Sequence, residues 1–447
     1  MAIDTPDLCR HLVIYSVCVR NHGPNGTFAD VEADLPRIRA LGADVVWFMP
    51  IHPIGIDGRK GALGSPYSIS DYRGINPEYG TRADFGRLIG AAHWLGLKVM
   101  IDVVFNHTSR DSVLVRRHPE FFHRDSEGRP VSTVAEWSDV VDLKHPNPDL
   151  SATLIECLAE WARFGVDGFR CDVASLVPLE FWRAARGALA AVKPQVLWLA
   201  ESVHAAFVSQ RRSLGLVGES DCELYSAFDI TYDYDLWPIQ QAAMAGKVEA
   251  GRYLEMLRFQ ESVLPAGAVK LRFTENHDQA RTFGAISDPS RARAWTAFTA
   301  FNRGAFLIYA GQESGSGHTP SLFETDRVAW GGYGLQPFLS RLSELRKDRA
   351  RRSGRFVLLG AEPAVQAAWE HDGTGLYGVF NVDGCGRGSV PVQLPDGEYP
   401  DELNGSGVRI RSGRMRVPES AAILRFSGAT GFRPFRCLLM DFSPSVG

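Results

Sequence analysis

The sequence lacks the features that mark a membrane-spanning or disulfide-stabilised protein. No apolar run approaches the roughly 18 residues that a transmembrane helix needs. The N-terminus has no basic start followed by an apolar stretch, so no signal peptide is indicated. Seven cysteines occur, none in a Cys-x-x-Cys pair, which argues against a disulfide framework and a zinc site. We therefore expect a cytoplasmic protein with free, buried thiols.

The sequence also lacks a strong charge of either sign. Its 48 Lys and Arg residues nearly balance 52 Asp and Glu residues, and the net charge is −4. A chain without a large basic patch gives no electrostatic reason to bind nucleic acid or an anionic membrane. The 45% of hydrophobic residues is ordinary for a globular protein. We expect one large and one small domain, and no feature determines the oligomeric state.

What the chain does have is an alternation of short apolar runs with amphipathic helical stretches. The apolar runs are Leu12–Val19, Asp44–Met49, Leu97–Phe105, Val166–Cys171, Val196–Ala200, Leu224–Ile230, Val269–Phe273 and Ala305–Tyr309. Continuous apolar strands separated by helices predict a parallel sheet that is covered on both faces. Eight such strands favour an α/β fold of the (β/α)8 TIM barrel type over an open sheet.

Two long insertions and a change of pattern suggest how the chain is divided. The insertions follow the second and third predicted strands, at about 51–80 and about 106–146. After about residue 350 the helices stop, and short strands broken by Gly and Asn turns predict an antiparallel β domain. We thus expect a catalytic barrel over 1–350, with a short inserted domain at about 106–146. A β-sandwich-like domain should cover 351–447.

Acidic side chains stand at the ends of several predicted strands. In a barrel, a polar residue that ends a strand points into the shared site at the C-terminal face. Asp102, Asp172, Glu201 and Asp278 lie at or just beyond the third, fourth, fifth and seventh predicted strands. One such Asp alone is more often a helix cap. Four segments in barrel register predict that Asp172, Glu201 and Asp278 converge in one site.

Paired carboxyl groups are what the cleavage of an acetal requires. One carboxylate attacks or stabilises an oxocarbenium-like transition state, and one protonated carboxyl gives the leaving oxygen its proton. Two acids roughly 5 Å apart suit the retaining, double-displacement route. Arg170, two residues before Asp172, should keep that carboxylate ionised. Glu201 follows an apolar strand, so burial should raise its pKa as an acid requires.

Four segments carry a resemblance to a known family. They are Asp102-Val-Val-Phe-Asn-His107, Gly168-Phe-Arg-Cys-Asp-Val173, Ala200-Glu201-Ser202 and Phe273-Thr-Glu-Asn-His-Asp278. In order, they resemble the four signature segments of the α-amylase family of glycoside hydrolases. Further similarity lies in Gly64–Tyr72, Ile75–Gly80 and Tyr309–Glu313, and the resemblance covers about residues 12–350.

The resemblance implies a role for each residue of the site. Asp172 is implied to be the nucleophile, Glu201 the acid/base, and Asp278 the third acid that distorts and holds the sugar. The substrate-binding residues that it implies are Tyr67, Asp102, His107, Arg170, His277 and Arg281. Among them, the flat ring of Tyr67 is expected to stack on the sugar at the cleavage point.

The sequence departs from the family pattern at positions that bear on substrate and metal. Ser175 and Leu176 stand where many α-amylases carry the Lys-His pair that serves a downstream sugar and calcium. Calcium wants six or more oxygens, which Asn106 alone cannot supply, so the usual calcium site of the family is incomplete. We expect no cofactor, and calcium dependence stays open. Ser68 replaces the Asp with which exo-acting members bind the chain end. Arg281, in contrast, resembles an arginine of those same members.

Three functions are consistent with these residues. The first is the hydrolysis of α-1,4-glucosidic bonds in maltooligosaccharides or related α-glucans by double displacement. The second is transfer or isomerisation of short α-glucosides of the maltose, trehalose or sucrose type through the same covalent intermediate. The third, an inactive carbohydrate-binding or assembly module, is disfavoured by the intact set of acids. Endo or exo action and the preferred linkage stay open.

Overall fold

The structure is a computed structural model that describes residue 2 and residues 5–134, 136–386, 388–428 and 431–435. Residues 429–430 and 436–447 of the predicted C-terminal domain lie outside the described part. Within that part, no helix combines the length and the apolar character needed to cross a bilayer.

A closed barrel of eight parallel strands forms the first part of the described chain. The strands up to residue 309 are β1 Val13–Val17, β2 Val45–Phe48, β3 Lys98–Val103, β4 His107–Ser109, β5 Val140–Asp142, β6 Gly168–Cys171, β7 Leu197–Ala200, β8 Ile230–Tyr232, β9 Lys270–Arg272 and β10 Ala305–Tyr309. The order around the barrel is β1-β10-β9-β8-β7-β6-β3-β2. These strands are buried on both faces, as their continuous apolar runs require. The predicted (β/α)8 barrel is confirmed.

Helices cover the barrel, and several of them start at side-chain caps. They are α1 Val19–His22, α2 Phe28–Ala40, α3 Arg82–Trp94, α4 Val113–Arg117, α5 Pro148–Phe164, α6 Leu179–Ala190, α7 Ala205–Ser213, α8 Asp221–Leu224, α9 Trp237–Met244, α10 Ala250–Val263, α11 Thr282–Ala285, α12 Pro289–Phe301, α13 Gln336–Leu345 and α14 Arg349–Ser353. Thr27 and Thr81 each form a reciprocal capping box with an Asp three residues later. Both helices therefore begin where these Thr residues place them.

The prediction of the sixth barrel strand is wrong in position. The apolar run predicts this strand at Leu224–Ile230, whereas α8 ends at Leu224 and β8 begins at Ile230. Ser220 and Glu223 form a capping box that starts a helix in front of this apolar run. Leu224 is fully buried, so its apolar character marks core packing and not a strand.

The insertion after β3 contains a small antiparallel ribbon made of β4 and β5. In its register His107 lies opposite Asp142. The carboxylate of Asp142 accepts hydrogen bonds from the Thr133 N–H at 2.7 Å and from the Ser132 hydroxyl at 3.1 Å. The ribbon thereby fixes His107 close to the end of β3.

An antiparallel β domain follows the barrel, as predicted. Its strands are β11 Arg355–Gly360, β12 Val365–His371, β13 Thr374–Phe380, β14 Ser389–Pro391, β15 Gly397–Pro400, β16 Gly407–Ile410, β17 Arg414–Arg416 and β18 Ala421–Ser427. The sheet β11-β12-β13-β18 shares a separate hydrophobic core with the ribbons β14-β17 and β15-β16. On the barrel side, the Trp369 indole N–H donates to the carbonyl of Phe301 at 2.8 Å. The sequence predicts no strand at the positions of β11, β12, β15 and β17.

Candidate active site

The guanidinium of Arg170 lies at the centre of a buried group of carboxylates. Its Nη1 donates to Asp102 Oδ1 at 2.9 Å and to Asp172 Oδ1 at 2.8 Å. Its Nη2 lies 2.8 Å from Glu201 Oε1. The side chains of Arg170 and Asp102 are fully buried. Three acidic side chains therefore surround one cation.

Strand register explains why these side chains meet. Arg170 on β6 pairs with Asp102 on β3. Cys171 and Ala200 are paired neighbours on β6 and β7, so the residues that follow them, Asp172 and Glu201, leave the barrel side by side. Because a strand repeats every two residues, Arg170 and Asp172 project toward the same face.

Three acidic side chains face the single positive charge of Arg170, so full ionisation of all three is unfavourable. Burial raises the pKa of Glu201 above its ordinary range, and the charges of Asp172 and Asp278 raise it further against the opposing effect of Arg170. Burial likewise raises the pKa of Asp102, again against the attraction of Arg170. A carboxyl group that stays protonated near neutral pH can act as a general acid.

Aromatic rings enclose the Arg170 guanidinium. Its central carbon lies 5.3 Å from the ring centroids of both Trp47 and Tyr232, and 5.6 Å from that of Tyr67. Trp47 and Tyr232 are fully buried. Such rings attract a cation and keep water away from it, which strengthens its ion pairs. The sequence prediction missed Trp47 and Tyr232, because large aromatic residues on a barrel strand read as ordinary core.

The backbone directly after Asp172 holds the side chain of Glu201. The Val173 N–H donates to Glu201 Oε2 at 2.7 Å, opposite the oxygen that faces Arg170. Val173 has φ 35 and ψ 47, a left-handed conformation that is strained for a β-branched residue. Two residues on, the buried Ser175 hydroxyl accepts the Val203 N–H at 3.1 Å. The segments around Asp172 and Glu201 are thus joined twice.

A third acid lies on the loop after β9. Asp278 is 42% exposed, and its Oδ2 lies 3.1 Å from His277 Nε2. The Tyr234 hydroxyl, another residue missed from the sequence, donates to the same oxygen at 3.5 Å. Burial lowers the pKa of His277, so its ring is neutral at neutral pH. Asp278 is therefore held by weaker contacts than the acids beside Arg170.

Tyr67 and His107 line the space between these acids. The Tyr67 ring stacks on His277 with an interplanar angle of 11°, and its hydroxyl donates to Asp102 Oδ2 at 3.1 Å. His107 Nε2 lies 3.9 Å from Asp172 Oδ2. Apart from Arg281, the structure therefore brings together every predicted site residue in one connected group of contacts.

The sequence of this chain also matches the patterns of two known protein domains. The pattern of the α-amylase catalytic domain matches residues 16–127 and 134–353. The chain belongs to the α-amylase family of glycoside hydrolases. The pattern of the bacterial α-amylase C-terminal domain matches residues 360–424, within the β domain described above.

Solved structures of α-amylases resemble this chain over nearly its whole length. An α-amylase from Lactobacillus plantarum is 41% identical with a TM-score of 0.90, and the match covers 94% of this chain and 100% of that one. The maltogenic α-amylase AmyB from Thermotoga neapolitana is 31% identical with a TM-score of 0.82, covering 96% and 100% of the two chains.

The curated relatives include proteins named as a transferase and as an α-amylase. The α-1,4-glucan:maltose-1-phosphate maltosyltransferase of Cereibacter sphaeroides is 34% identical over 237 residues, which is 48% of this chain and 37% of the relative. The α-amylase MalA of Haloarcula japonica is 29% identical over 363 residues, or 77% of this chain and 50% of the relative. The chain spans about a third to a half of the length of these curated relatives.

Arg281 stands apart from the other predicted substrate-binding residues of this α-amylase-family site. Its fully buried guanidinium pairs with Glu275 at 2.7 Å and donates to the carbonyls of Ala310 at 2.6 Å and His318 at 3.3 Å. These partners occupy each of its three nitrogens. The structure places Arg281 in the support of the loops after β9 and β10, and a contact with substrate stays a prediction.

The departures from the α-amylase pattern also receive structural explanations. Ser68 is buried, and its hydroxyl donates to the carbonyl of Asp139 at 3.0 Å. Ser175 binds backbone, as described above. The Asn106 amide nitrogen, at the one calcium-site position that the sequence analysis identified, lies 3.2 Å from His107 Nδ1. In the described ranges, no three His, Cys, Asp or Glu side chains lie together as a metal site.

Proposed function

We propose that this α-amylase-family enzyme hydrolyses α-1,4-glucosidic bonds in maltooligosaccharides or related α-glucans with retention of configuration. The observation that carries the proposal is the bridge from Asp172 through the Arg170 guanidinium to Glu201, with both contacts at 2.8 Å. Two carboxyl groups that bind the two arms of one guanidinium fit the separation of about 5 Å used by retaining enzymes.

The first half-reaction forms a glycosyl-enzyme. Glu201 gives its proton to the glycosidic oxygen while Asp172 Oδ attacks the anomeric carbon, so the C–O bond breaks as a new C–O bond forms to Asp172. The raised pKa of Glu201 supports its role as the proton donor. Arg170 supports the ionised state of Asp172.

The second half-reaction returns the enzyme to its starting state. The Glu201 carboxylate now takes a proton from water, whose oxygen attacks the anomeric carbon and releases Asp172. Two inversions at that carbon leave the product in the α configuration.

The remaining residues bind the sugar at the cleavage point. Tyr67 offers a partly exposed ring for stacking, and the neutral His277 and the exposed Asp278 offer hydrogen-bond partners for hydroxyl groups. His107, within 3.9 Å of Asp172, supports a contact to the same sugar. Asp102 accepts hydrogen bonds from Arg170 and Tyr67 and so holds both side chains in place.

Transfer or isomerisation of short α-glucosides is the second candidate. The similarity to a maltosyltransferase, 34% identity over 237 residues, supports it because transfer uses the same covalent intermediate. In that case a sugar hydroxyl replaces water in the second half-reaction. The expectation that the enzyme acts inside the cell stays a prediction.

A product analysis separates these functions. The enzyme is incubated with maltotriose, and then with maltose, trehalose, sucrose and an α-1,6 glucan, and products are followed from the first turnover by chromatography and by NMR of the anomeric proton. We expect shorter maltooligosaccharides that appear first as α anomers. First-formed β anomers would contradict retention, and longer or rearranged products dominating from the start would establish transfer. Asp172→Asn is the control for contaminating activity.

A further inference from the structure

The insertion after β3 places an indole ring at the edge of the active site. The ring centroid of Trp137 lies 5.1 Å from that of His107, with an interplanar angle of 55°. His107 Nε2 in turn lies 3.9 Å from Asp172 Oδ2. Trp137 is partly exposed and also borders an open cavity of about 190 Å³. The ring therefore offers a partly exposed apolar surface, which His107 separates from Asp172, the proposed nucleophile.

The side chains of Lys60 and Arg110 hold the segment that carries Trp137. Lys60 Nζ donates to the Glu136 carbonyl at 2.9 Å and pairs with Asp139 Oδ1 at 3.0 Å. The guanidinium of Arg110 donates to the Ser138 carbonyl at 2.9 Å. These anchors bind the residues on both sides of the ring, so its position is fixed by more than its own packing.

Ser68 supplies another anchor for the same segment. It follows Tyr67 directly, and its hydroxyl donates to the carbonyl of Asp139 at 3.0 Å. One short stretch of chain thus positions the Tyr67 ring and, through Asp139, the Trp137 ring. This hydrogen bond therefore joins the two chain segments that carry the aromatic rings.

We propose that Trp137 is a second aromatic platform, which binds the glucose unit next to the one at the cleavage point. The C–H face of a pyranose ring packs on an indole face, as it does on the ring of Tyr67. This inference rests on the proposed α-glucan substrate. It assigns to the insertion a direct part in recognising substrates of two or more glucose units.

The test compares a substrate that reaches the platform with one that does not. Maltotriose extends beyond the cleavage point, whereas α-glucosyl fluoride carries one glucose unit and a leaving group without a sugar. For Trp137→Ala we expect kcat/KM on maltotriose to fall about tenfold, mainly through KM, and the value on α-glucosyl fluoride to change less than about twofold. Trp137→Phe, which keeps a smaller ring, should lose about two- to threefold on maltotriose.

Binding measurements make the result independent of the reaction type. In an Asp172→Asn background, calorimetry should show that Trp137→Ala raises the Kd of maltotriose by about tenfold. Trp94→Ala is the matched control, because Trp94 is 87% exposed at the end of α3 and should leave the Kd unchanged. Transfer products from the wild type would overturn the proposed hydrolysis without changing this binding result.

Two outcomes would overturn the platform itself. Equal losses on both substrates would show that Trp137 acts only by positioning His107. An unchanged or lower Kd of Trp137→Ala for maltotriose would show that the indole obstructs the sugar or does not contact it. If Trp137→Ala does not fold, Trp137→Phe and Lys60→Ala carry the test, since loosening the anchor should weaken maltotriose binding by about twofold and spare α-glucosyl fluoride.

Discussion

Asp172 and Glu201 stand at the ends of adjacent barrel strands, whereas Asp278 stands on the loop that follows β9. The first two are buried, and each lies 2.8 Å from an arm of Arg170. Asp278 is 42% exposed, with contacts at 3.1 Å and 3.5 Å. The barrel therefore fixes Asp172 and Glu201 more firmly than it fixes Asp278.

Arg170 and Arg281 are both fully buried, but they differ in the groups that they bind. Arg170 contacts three acidic side chains of the site, while Arg281 pairs with one carboxylate, Glu275, and with backbone carbonyls. Both were assigned to substrate binding from sequence motifs. A motif locates a residue along the chain, but the neighbouring loops decide which partners its side chain meets.

The largest expected effect comes from removing the acid. Glu201→Gln should lower kcat/KM on maltotriose by about 10³–10⁴-fold, because proton donation to a sugar leaving group is lost. The loss on α-glucosyl fluoride should be much smaller, since fluoride leaves without strong protonation. In the wild type the raised pKa of Glu201 keeps the acid protonated at neutral pH, so activity should fall only as the pH rises beyond it.

Rate–pH profiles of both enzymes on both substrates check this prediction. The alkaline limb of the maltotriose profile should be present in the wild type and absent from Glu201→Gln. A variant that keeps the limb, or that loses equal activity on the two substrates, would assign proton donation to another group.

A large loss of stability is expected from Arg281→Ala. It leaves Glu275 as a buried charge without its partner, which costs about 3–5 kcal/mol in the free energy of unfolding. Chemical denaturation measures this change, and KM for maltotriose in the folded fraction should stay within about twofold, because the contact is structural. The double variant with Glu275→Gln should recover part of the stability. Unchanged stability with a raised KM would instead make Arg281 a substrate ligand.

A smaller catalytic loss is expected on the exposed side of the site. Asp278→Asn should lower kcat/KM by about 10²–10³-fold, the effect of losing one stabilising group that acts in the transition state. Its exposure means that the free energy of unfolding should change by less than about 1 kcal/mol. If unfolding shows a drop as large as that of Arg281→Ala, Asp278 is as rigidly integrated as the strand-end acids and the contrast fails.

The smallest effect is expected from removing the hydrogen bond that joins the segments after Asp172 and Glu201. Ser175→Ala removes the acceptor of the Val203 N–H and should cost about 1 kcal/mol. Water that enters the loosened segment should lower the raised pKa of Glu201, so the alkaline limb should move to lower pH. Ser175→Thr should restore the profile. Ser343→Ala, which removes an equally buried hydroxyl on α13, should leave the profile unchanged.

Much of the barrel could be predicted because its strands carry their own signal. Continuous apolar runs such as Ala305–Tyr309 match the observed bounds, and register alone brings Asp102, Asp172 and Glu201 together. The sixth strand was misplaced, since the apolar residues around Leu224 pack as the end of a capped helix. Periodicity cannot separate these two cases in so short a segment.

The surroundings of the acids were less predictable, because they depend on contacts between distant loops. Nothing in the local sequence shows that Val173 turns its N–H toward Glu201, or that Trp137 lies beside His107. Ser68 and Ser175 were recognised as departures, yet their backbone partners lie 71 and 28 residues away in the chain. Only the folded arrangement shows what replaced the usual side chains.

The most direct test of the account is to trap the covalent intermediate. A slowly hydrolysed fluorinated glucosyl fluoride is incubated with the enzyme, which is then digested and analysed by mass spectrometry. We expect one glycosyl group, on the peptide that contains Asp172 and attached to that residue, with no label in Asp172→Asn. A label on Glu201 or Asp278, or continued turnover of the reagent without any covalent adduct, would contradict it.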